Sequence, residues 1–268
     1  MEPDRDRFEA ISVDGPDEHG VVTVTLNRPD QLNTASMEMY WELSALARWL
    51  RNPKDVGAVV LTGAGRAFCA GADMAIIKQF GDVEFRTQMM EDGVHLCHEL
   101  LRVRPPVITA INGPAVGFGA ALALLGDIVY MADTATIADT HVRAGIVAGD
   151  GGALLWPVLI GPSRAKEFLF TGDPMDAATA DRLGLVTRVF PADELLDASH
   201  ALARRLASGA RHAIAWTKQV VNVELLRAAD WKLPLGNAHE ARTQGMADME
   251  EGIAAFLEKR APKFPSAS

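Results

Sequence analysis

The sequence predicts a layered α/β domain with parallel strands, and three observations lead to that prediction. Short β-branched runs alternate with stretches of helical spacing through the first half of the chain. Two of these runs lead into glycine-rich turns, at residues 65–74 and 112–119. Beyond residue 145 helical patterns dominate, so we expect the tail to pack on the core or on a neighbouring subunit.

The first half of the chain supplies the predicted strands. Runs at 8–13 and 21–26 predict a hairpin, because turn residues fill the interval between them. Thr34 or Ser36 can cap the helix that follows. The alternation then continues to residue 138, with strands at 56–62, 107–111, 128–131 and 136–138 and helices at 83–103 and 119–125.

The second half of the chain is mainly helical. One short strand is expected at 186–189. The predicted helices are 153–160, 163–170, 177–183, 193–207, 214–226 and 231–258.

Composition limits the classes of function. The net charge of −9, without a segment dense in Lys or Arg, argues against a nucleic-acid partner. Cys69 and Cys97 lack the spacing of a metal site or a disulfide framework, which favours reduced thiols. The charged N-terminal residues contain no apolar signal core, and polar residues and Pro114 interrupt the apolar stretch at 107–132. We therefore expect a soluble, cytoplasmic protein without a membrane partner.

The two glycine-rich turns are candidates for a binding site. Small residues let backbone N–H groups approach a ligand closely. Two such turns can direct two N–H donors at a single oxygen, which forms an oxyanion hole. The same pattern is equally typical of two ordinary strand-to-helix turns.

Short motifs in a consistent order extend over nearly the whole chain. They are Leu26-Asn27-Arg28-Pro29 with Leu32-Asn33, Phe68-Cys69-Ala70-Gly71-Ala72-Asp73, Ile111-Asn112-Gly113 and Gly149-Asp150-Gly151-Gly152. Together they resemble the crotonase (enoyl-CoA hydratase/isomerase) superfamily. The resemblance implies a ββα spiral core over residues 1–200 and a C-terminal helical trimerisation region over 201–268. It also implies homotrimers, often paired into hexamers.

The resemblance also implies where an acyl-CoA substrate binds. The N–H groups of Ala72 and Phe118 would bind the thioester oxygen and stabilise an enolate. The backbone at Ala70 would contact the adenine of coenzyme A. Arg28, and Lys259 from a neighbouring subunit, would contact its phosphates. Solvated surface charges are the alternative for both cations.

Three further positions belong to the same predicted binding site. Asp73 follows the oxyanion alanine and is expected to act as a turn or capping residue. Met74 is expected to line an acyl pocket or the plain core. Gly117 precedes Phe118 in the second turn. Coenzyme A is expected as part of the substrate, with no separate cofactor and no metal.

The chain departs from the superfamily at the positions of its catalytic groups. Hydratases that it resembles use two glutamates to hold a water and transfer its proton. Here Ala121 and His141 occupy those two positions. Alanine neither accepts nor donates a proton, so a two-carboxylate mechanism cannot operate.

His141 and Asp150 are the candidate replacement. The glycine-containing loop between them can bring the two side chains together, and a carboxylate makes imidazole a workable general base. The alternative is a structural histidine and an aspartate that caps the helix after Gly151.

One branch of the superfamily shows a similar pairing. The residues shared with it include His141, Gly145-Ile146-Val147, Gly149-Asp150-Gly151, Trp156-Pro157 and Ala238-His239-Glu240-Ala241. This branch is similar to oxo-camphor hydrolase, a retro-Claisen enzyme. That resemblance implies that Glu240 assists by orienting the histidine; an exposed helix face is the alternative.

The expected function is an enoyl-CoA hydratase-like lyase in which His141 and Asp150 replace the glutamates. One alternative is a hydrolase that cleaves the C–C bond of a β-diketone or β-keto thioester. Another is a crotonase-fold binding protein without catalysis.

Overall fold

A computed structural model describes residues 3–267, and Met1, Glu2 and Ser268, including the start of the charged N-terminal stretch, lie outside it. Its strands are β1 Ile11–Asp14, β2 Val21–Leu26, β3 Ala58–Gly63, β4 Val107–Ile111, β5 Ala115–Val116, β6 Ile128–Ala132, β7 Thr136–Ala138, β8 Met175–Asp176 and β9 Arg188–Phe190.

The helices run between the strands and continue to the C-terminal end. They are α1 Met37–Trp49, α2 Met74–Ile77, α3 Val83–Leu101, α4 Phe118–Leu124, α5 Gly152–Ile160, α6 Pro162–Thr171, α7 Ala177–Leu183, α8 Leu195–Ala207, α9 Arg211–Val221, α10 Val223–Thr243 and α11 Ala247–Leu257.

The main sheet has six strands in the order β1-β2-β3-β4-β6-β9. Only the β1–β2 hairpin is antiparallel, and every other neighbouring pair is parallel. Every residue of β3 is buried, as expected for a central parallel strand covered on both faces. A second sheet pairs β5, β7 and β8 beside the main one. The predicted α/β class with parallel strands is confirmed.

Local sequence explains several element ends. Ser36 is the cap of α1, and its side chain accepts a hydrogen bond from the Met39 N–H at 3.3 Å. Asp82 caps α3 in the same way. Gly172 and Gly184 end α6 and α7 in the left-handed conformation that glycine adopts without steric cost.

The C-terminal helices differ from the predicted ones. The predicted helix over 231–258 was wrong: the chain breaks between α10 and α11, where Met246 adopts an extended conformation. The predicted gap at 227–230 is also wrong, because α10 runs continuously through it. Pro234 lies inside α10, where tertiary packing overrides its low helix propensity. The predicted division at residue 200 falls within α8.

Helix α10 carries polar groups into the interior. It packs on α3 and α5 and buries Asn237 and Glu240. The amide of Asn237 donates to the carbonyl oxygen of Met90 on α3 at 2.9 Å. Over residues 3–267, no helix is both long enough and apolar enough to cross a membrane.

Candidate active site

The two glycine-rich turns meet in the structure. The N–H groups of Phe68 and Cys69 donate to the carbonyl oxygen of Pro114 at 3.1 and 3.2 Å, and the Val116 N–H donates to the Cys69 oxygen at 2.9 Å. Gly119 makes this contact possible, because a Cβ there would lie 2.2 Å from the Cys69 oxygen. The backbone of one turn is therefore held directly against the backbone of the other.

Ala72 and Phe118 present backbone donors at this junction. Ala35 bonds to the residues on either side of Ala72: its N–H donates to the Gly71 oxygen at 2.8 Å, and its oxygen accepts from the Asp73 N–H at 3.0 Å. The Ala72 N–H is left on the opposite side of this parallel bridge. Within the described part of the chain, neither the Ala72 nor the Phe118 N–H has a hydrogen-bond acceptor.

Both donors border a cavity of about 730 Å³. Its wall also contains the other predicted catalytic residues, His141, Asp150 and Glu240, and the predicted binding residues Ala70, Asp73, Met74 and Gly117. Apolar side chains of α2 and α3 form much of the remaining wall, among them Ile77, Met89 and Met90. The cavity therefore combines an apolar chamber with a small group of titratable side chains.

His141 lies between two carboxylates. Its Nδ1 is 2.7 Å from Asp139 Oδ1, and its Nε2 is 3.4 Å from Asp150 Oδ2. The Asp139 side chain is 1% exposed, whereas that of Asp150 is 15% exposed and borders the cavity. Nδ1 of the ring thus contacts a fully buried acid, and Nε2 contacts an acid that reaches the cavity.

The two aspartates control the charge of the ring. Burial lowers the pKa of His141, but the opposing charges of Asp150 and Asp139 outweigh it and hold that pKa well above 6.5. The charged imidazolium form, which carries a proton on each ring nitrogen, is therefore favoured in the resting protein. It becomes a base only after it loses a proton.

Glu240 faces this cluster from α10. Burial and the nearby Asp150 charge raise the pKa of Glu240 from 4.5 to about 8, although His141 opposes the shift. Its Oε1 accepts a hydrogen bond from Gln244 Nε2 at 3.2 Å, and its Oε2 has no partner within residues 3–267. The acid bonded to the His141 ring is Asp139. The raised pKa favours the neutral form of Glu240, and its role in orienting the histidine stays a prediction.

The same three groups are close enough to hold a cation, since one ligand atom from each of Asp139, His141 and Asp150 lies within 4.8 Å of the others. The hydrogen bond between Nδ1 and Asp139 and the ion-pair contact between Nε2 and Asp150 already account for this proximity. The three side chains therefore form a contiguous Asp-His-Asp cluster.

Arg28 is engaged inside the protein. Its guanidinium contacts Asp73 Oδ2 at 2.6 Å and also donates to the carbonyl oxygen of Thr34, and it does not border the cavity. Asp73 caps α2 by accepting from the Ala75 N–H at 2.8 Å, as its sequence position indicated. The pair fixes the backbone next to Ala72. Contact between Arg28 and a phosphate stays a prediction.

The sequence also assigned possible roles to Lys259 and to Asp150. Lys259 is exposed beyond the end of α11 and lies outside the cavity wall, so its contact with coenzyme A also stays a prediction. Asp150 does not cap α5, because the cap residue is Gly151 and no side chain accepts there. The Cys97 thiol donates instead to the Asp150 carbonyl oxygen at 3.6 Å. Burial raises the pKa of Cys97 to about 12, in keeping with an unreactive free thiol.

Sequence reasoning missed Asp139 and Tyr40. Asp139 follows β7 and precedes His141 by two residues, and its side chain accepts from the His141 backbone N–H at 3.3 Å where the short 3-10 helix His141–Ala144 begins. An aspartate that bonds to the backbone two residues on is typical of an Asx turn. Tyr40 borders the cavity from α1 and packs on Phe118 with ring centroids 4.5 Å apart, a contact that no local pattern encodes.

An α/β core in which two glycine-rich turns meet over an acid-lined cavity is the arrangement expected of the crotonase superfamily. The family model for enoyl-CoA hydratase/isomerase matches residues 17–267. The chain belongs to this family.

Individual relatives agree with this assignment. A Mycobacterium bovis protein named "probable enoyl-CoA hydratase" is 37% identical over 96% of this chain and 98% of its own. The crystal structure of an enoyl-CoA hydratase/isomerase from Mycobacterium paratuberculosis is 36% identical, with a TM-score of 0.87 over 91% of this chain and 97% of that one. A β-diketone hydrolase from the cyanobacterium Anabaena is 27% identical, with a TM-score of 0.84 over 90% and 97%.

Proposed function

We propose that this enzyme adds water across the double bond of an enoyl thioester, with His141 and Asp150 in place of the two glutamates of its relatives. The observation that carries the proposal is the 3.4 Å contact between His141 Nε2 and Asp150 Oδ2 at the wall of the cavity. The free N–H groups of Ala72 and Phe118 border the same cavity, so a water activated at the pair would act on a substrate whose carbonyl oxygen they bind.

In this reaction His141 carries the proton, and the two N–H groups stabilise the charge that develops on the substrate. The water oxygen bonds to the β-carbon while its proton passes to Nε2 of the neutral ring, which Asp150 supports. The electron pair of the C=C bond moves onto the thioester oxygen, where the two N–H groups stabilise the enolate. The enolate then returns its electron pair to the α-carbon, which takes the proton back from Nε2 and leaves the ring neutral.

The direct test is incubation with crotonyl-CoA. We expect 3-hydroxybutyryl-CoA to form, and the loss of the enoyl absorbance measures its rate of formation. In His141→Ala, turnover should fall by about 10²–10⁴-fold while the far-ultraviolet circular dichroism is unchanged, because a general base typically contributes that factor. A loss smaller than tenfold would remove His141 from the role.

A second candidate function is hydrolysis of a C–C bond. The similarity to the Anabaena β-diketone hydrolase favours it, because the same pair can direct water at a ketone carbon. The bond between that carbon and the α-carbon then breaks, and the leaving enolate needs the same oxyanion donors. Rapid cleavage of a cyclic β-diketone to a keto acid, with no hydration of crotonyl-CoA, would select this function over the first. If neither substrate reacted and His141→Ala changed only stability, a binding protein would be the remaining interpretation.

We also propose that the active form is a trimer or hexamer in the cytoplasm. Large apolar side chains are exposed on the C-terminal helices, including Trp216, Trp231 and Phe256 at 56%, 82% and 73%. Phe256 also borders the cavity, so a neighbouring subunit would complete its mouth. Sedimentation velocity at micromolar concentration should show a species of three or six chains, and a monomer would contradict this.

A further inference from the structure

The buried carboxylate of Asp139 is not explained by folding alone. It is 1% exposed, and its Oδ1 accepts from the His141 backbone N–H at 3.3 Å as well as contacting the ring Nδ1 at 2.7 Å. Its Oδ2 has no hydrogen-bond partner among the residues that the structure describes. Burying a carboxylate with one oxygen unpaired is costly, so a compensating role is expected.

The surrounding chain leaves space for this acid. A Cβ on Gly152, the first residue of α5, would lie 1.9 Å from Asp139 Oδ2. No other residue type fits there without displacing the carboxylate. The segment from Asp150 to Gly152 therefore supplies the acid that contacts Nε2 and also the space for the acid that contacts Nδ1.

We propose that Asp139 is the positioning residue of the active site, which holds the proton on His141 Nδ1 and leaves Nε2 as the nitrogen that exchanges protons with water. This deepens the proposed function and rests on it. A carboxylate only accepts hydrogen bonds, so a neutral ring can satisfy one of its two aspartates. The contact at 2.7 Å with a fully buried acid is stronger than the contact at 3.4 Å with one that reaches the cavity. The proton that leaves the imidazolium is therefore the one on Nε2.

The groups around the ring are consistent with this order of deprotonation. The charged or titratable side chains that face it are Asp139 after β7, Asp150 before α5 and Glu240 on α10. Tyr40 on α1 and Cys97 on α3 face the acids, and burial raises the pKa of both, so they stay uncharged. Of the two acids that contact the ring, only Asp150 borders the cavity, so a proton on Nε2 has a route to water and one on Nδ1 does not.

The first test needs no substrate and no variant at Asp139. Protein labelled with ¹⁵N-histidine is titrated by NMR, and the His141 signals are assigned by their absence in His141→Ala. Above its pKa, the neutral ring should carry its proton on Nδ1. A neutral ring protonated on Nε2 would overturn the inference, whatever the reaction proves to be.

The second test uses Asp139→Asn. The amide can turn an N–H toward Nδ1 and favour the wrong tautomer, so turnover should fall by about 10²-fold or more with KM changed less than about threefold. Removing one negative charge should also move the titration of the ring to lower pH, in the NMR spectrum and in the rising limb of the rate profile. Unchanged turnover together with an unchanged titration would contradict the inference.

Asp127→Asn is the matched control. Asp127 also accepts a backbone hydrogen bond, from Val107 at 2.7 Å, and contacts Lys218 at 2.6 Å, but it lies outside the cavity wall. The Asp127→Asn variant should lose stability without a change in the rate profile.

Failure of the proposed function would appear as full turnover in His141→Ala. Failure of this inference alone would appear as lost turnover in His141→Ala with normal turnover and titration in Asp139→Asn.

Discussion

Ala121 shows how one residue changes the chemistry available to this fold. It occupies the position at which the resemblance places the first glutamate of the hydratases. It is 2% exposed on a helix whose residues are all buried, and it does not border the cavity. A Cβ on Gly151 would lie 2.9 Å from the Ala121 methyl, so the two residues are packed together. The acids that lie around the His141 ring are instead Asp139, Asp150 and Glu240.

Restoring the glutamate should therefore fail. In Ala121→Glu the carboxylate would enter packed interior against Gly151, next to the acid Asp150 in the chain. We expect the free energy of unfolding to fall by about 3 kcal/mol or more, with no gain in turnover on crotonyl-CoA. Urea denaturation and the hydration assay measure the two quantities.

Ala121→Gln is the control for size, because it adds the same volume without charge. It should destabilise the protein less than Ala121→Glu at pH 8. Equal losses would show that packing alone decides the effect. Faster hydration in Ala121→Glu would show that the two-carboxylate mechanism can be rebuilt here.

At the scale of elements, the site depends on the contact between the turn after β3 and the start of α4. Gly119 lies in that helix with the Cys69 carbonyl oxygen where its Cβ would be. Gly93 lies in the middle of α3, and a Cβ there would meet nothing within 4 Å. The same substitution at these two helical glycines should therefore have opposite effects.

Gly119→Ala should lower the free energy of unfolding by about 1–3 kcal/mol, because the methyl forces the two turns apart. Gly93→Ala should raise it by about 0.5–1 kcal/mol, because alanine loses less conformational freedom in a helix. Urea titrations monitored by circular dichroism compare both variants with the parent. A stabilised Gly119→Ala would mean that the turns can separate at little cost.

Strong periodicity made several of these elements predictable. The apolar runs of β2 and β4 and the helix α7 have the predicted bounds, because strand and helix periods are local properties. The helix α2 and the two-residue strands β5 and β8 were missed, since such short elements are stabilised by their neighbours rather than by their own sequence. The break at Met246 was also missed: α11, which follows it, packs on the distant 3-10 helix His141–Ala144, a contact that local sequence does not encode.

The candidate site was predictable only in part. Local sequence identified both glycine-rich turns, whereas His141 and Asp150 were selected through the resemblance to the crotonase superfamily. The hydrogen bond between Asp139 and the ring depends on the space at Gly152, thirteen residues further along the chain. Likewise, the engagement of Arg28 by Asp73 joins segments forty-five residues apart. Contacts of this kind follow from the fold and not from spacing.

At the scale of the whole molecule, the acid cluster makes folding depend on pH. Glu240 in the folded protein keeps its proton up to about pH 8, whereas the same group in the unfolded chain loses it near 4.5. His141 in the folded protein likewise keeps its proton well above the 6.5 of an unfolded chain. In both cases the folded state binds the proton more tightly than the unfolded state. This tighter proton binding stabilises the folded protein at low pH, and the stabilisation is lost as pH rises.

The free energy of unfolding should therefore fall between pH 5 and pH 8, with a slope of up to about 1.4 kcal/mol per pH unit for each group that titrates differently in the two states. Above pH 6.5 both groups contribute, so the slope should steepen there. Urea titrations at fixed protein concentration across this range measure it, because subunit association also affects apparent stability.

Glu240→Gln should flatten this profile between pH 5 and pH 6.5. The amide oxygen can still accept the hydrogen bond from Gln244, so the variant removes the titration while keeping one contact. Glu91→Gln, at an exposed position on α3, is the control and should leave the slope unchanged. A Glu240→Gln profile as steep as that of the parent would mean that Glu240 is ionised in the folded protein. The neutral acid beside His141 would then be absent from the resting site.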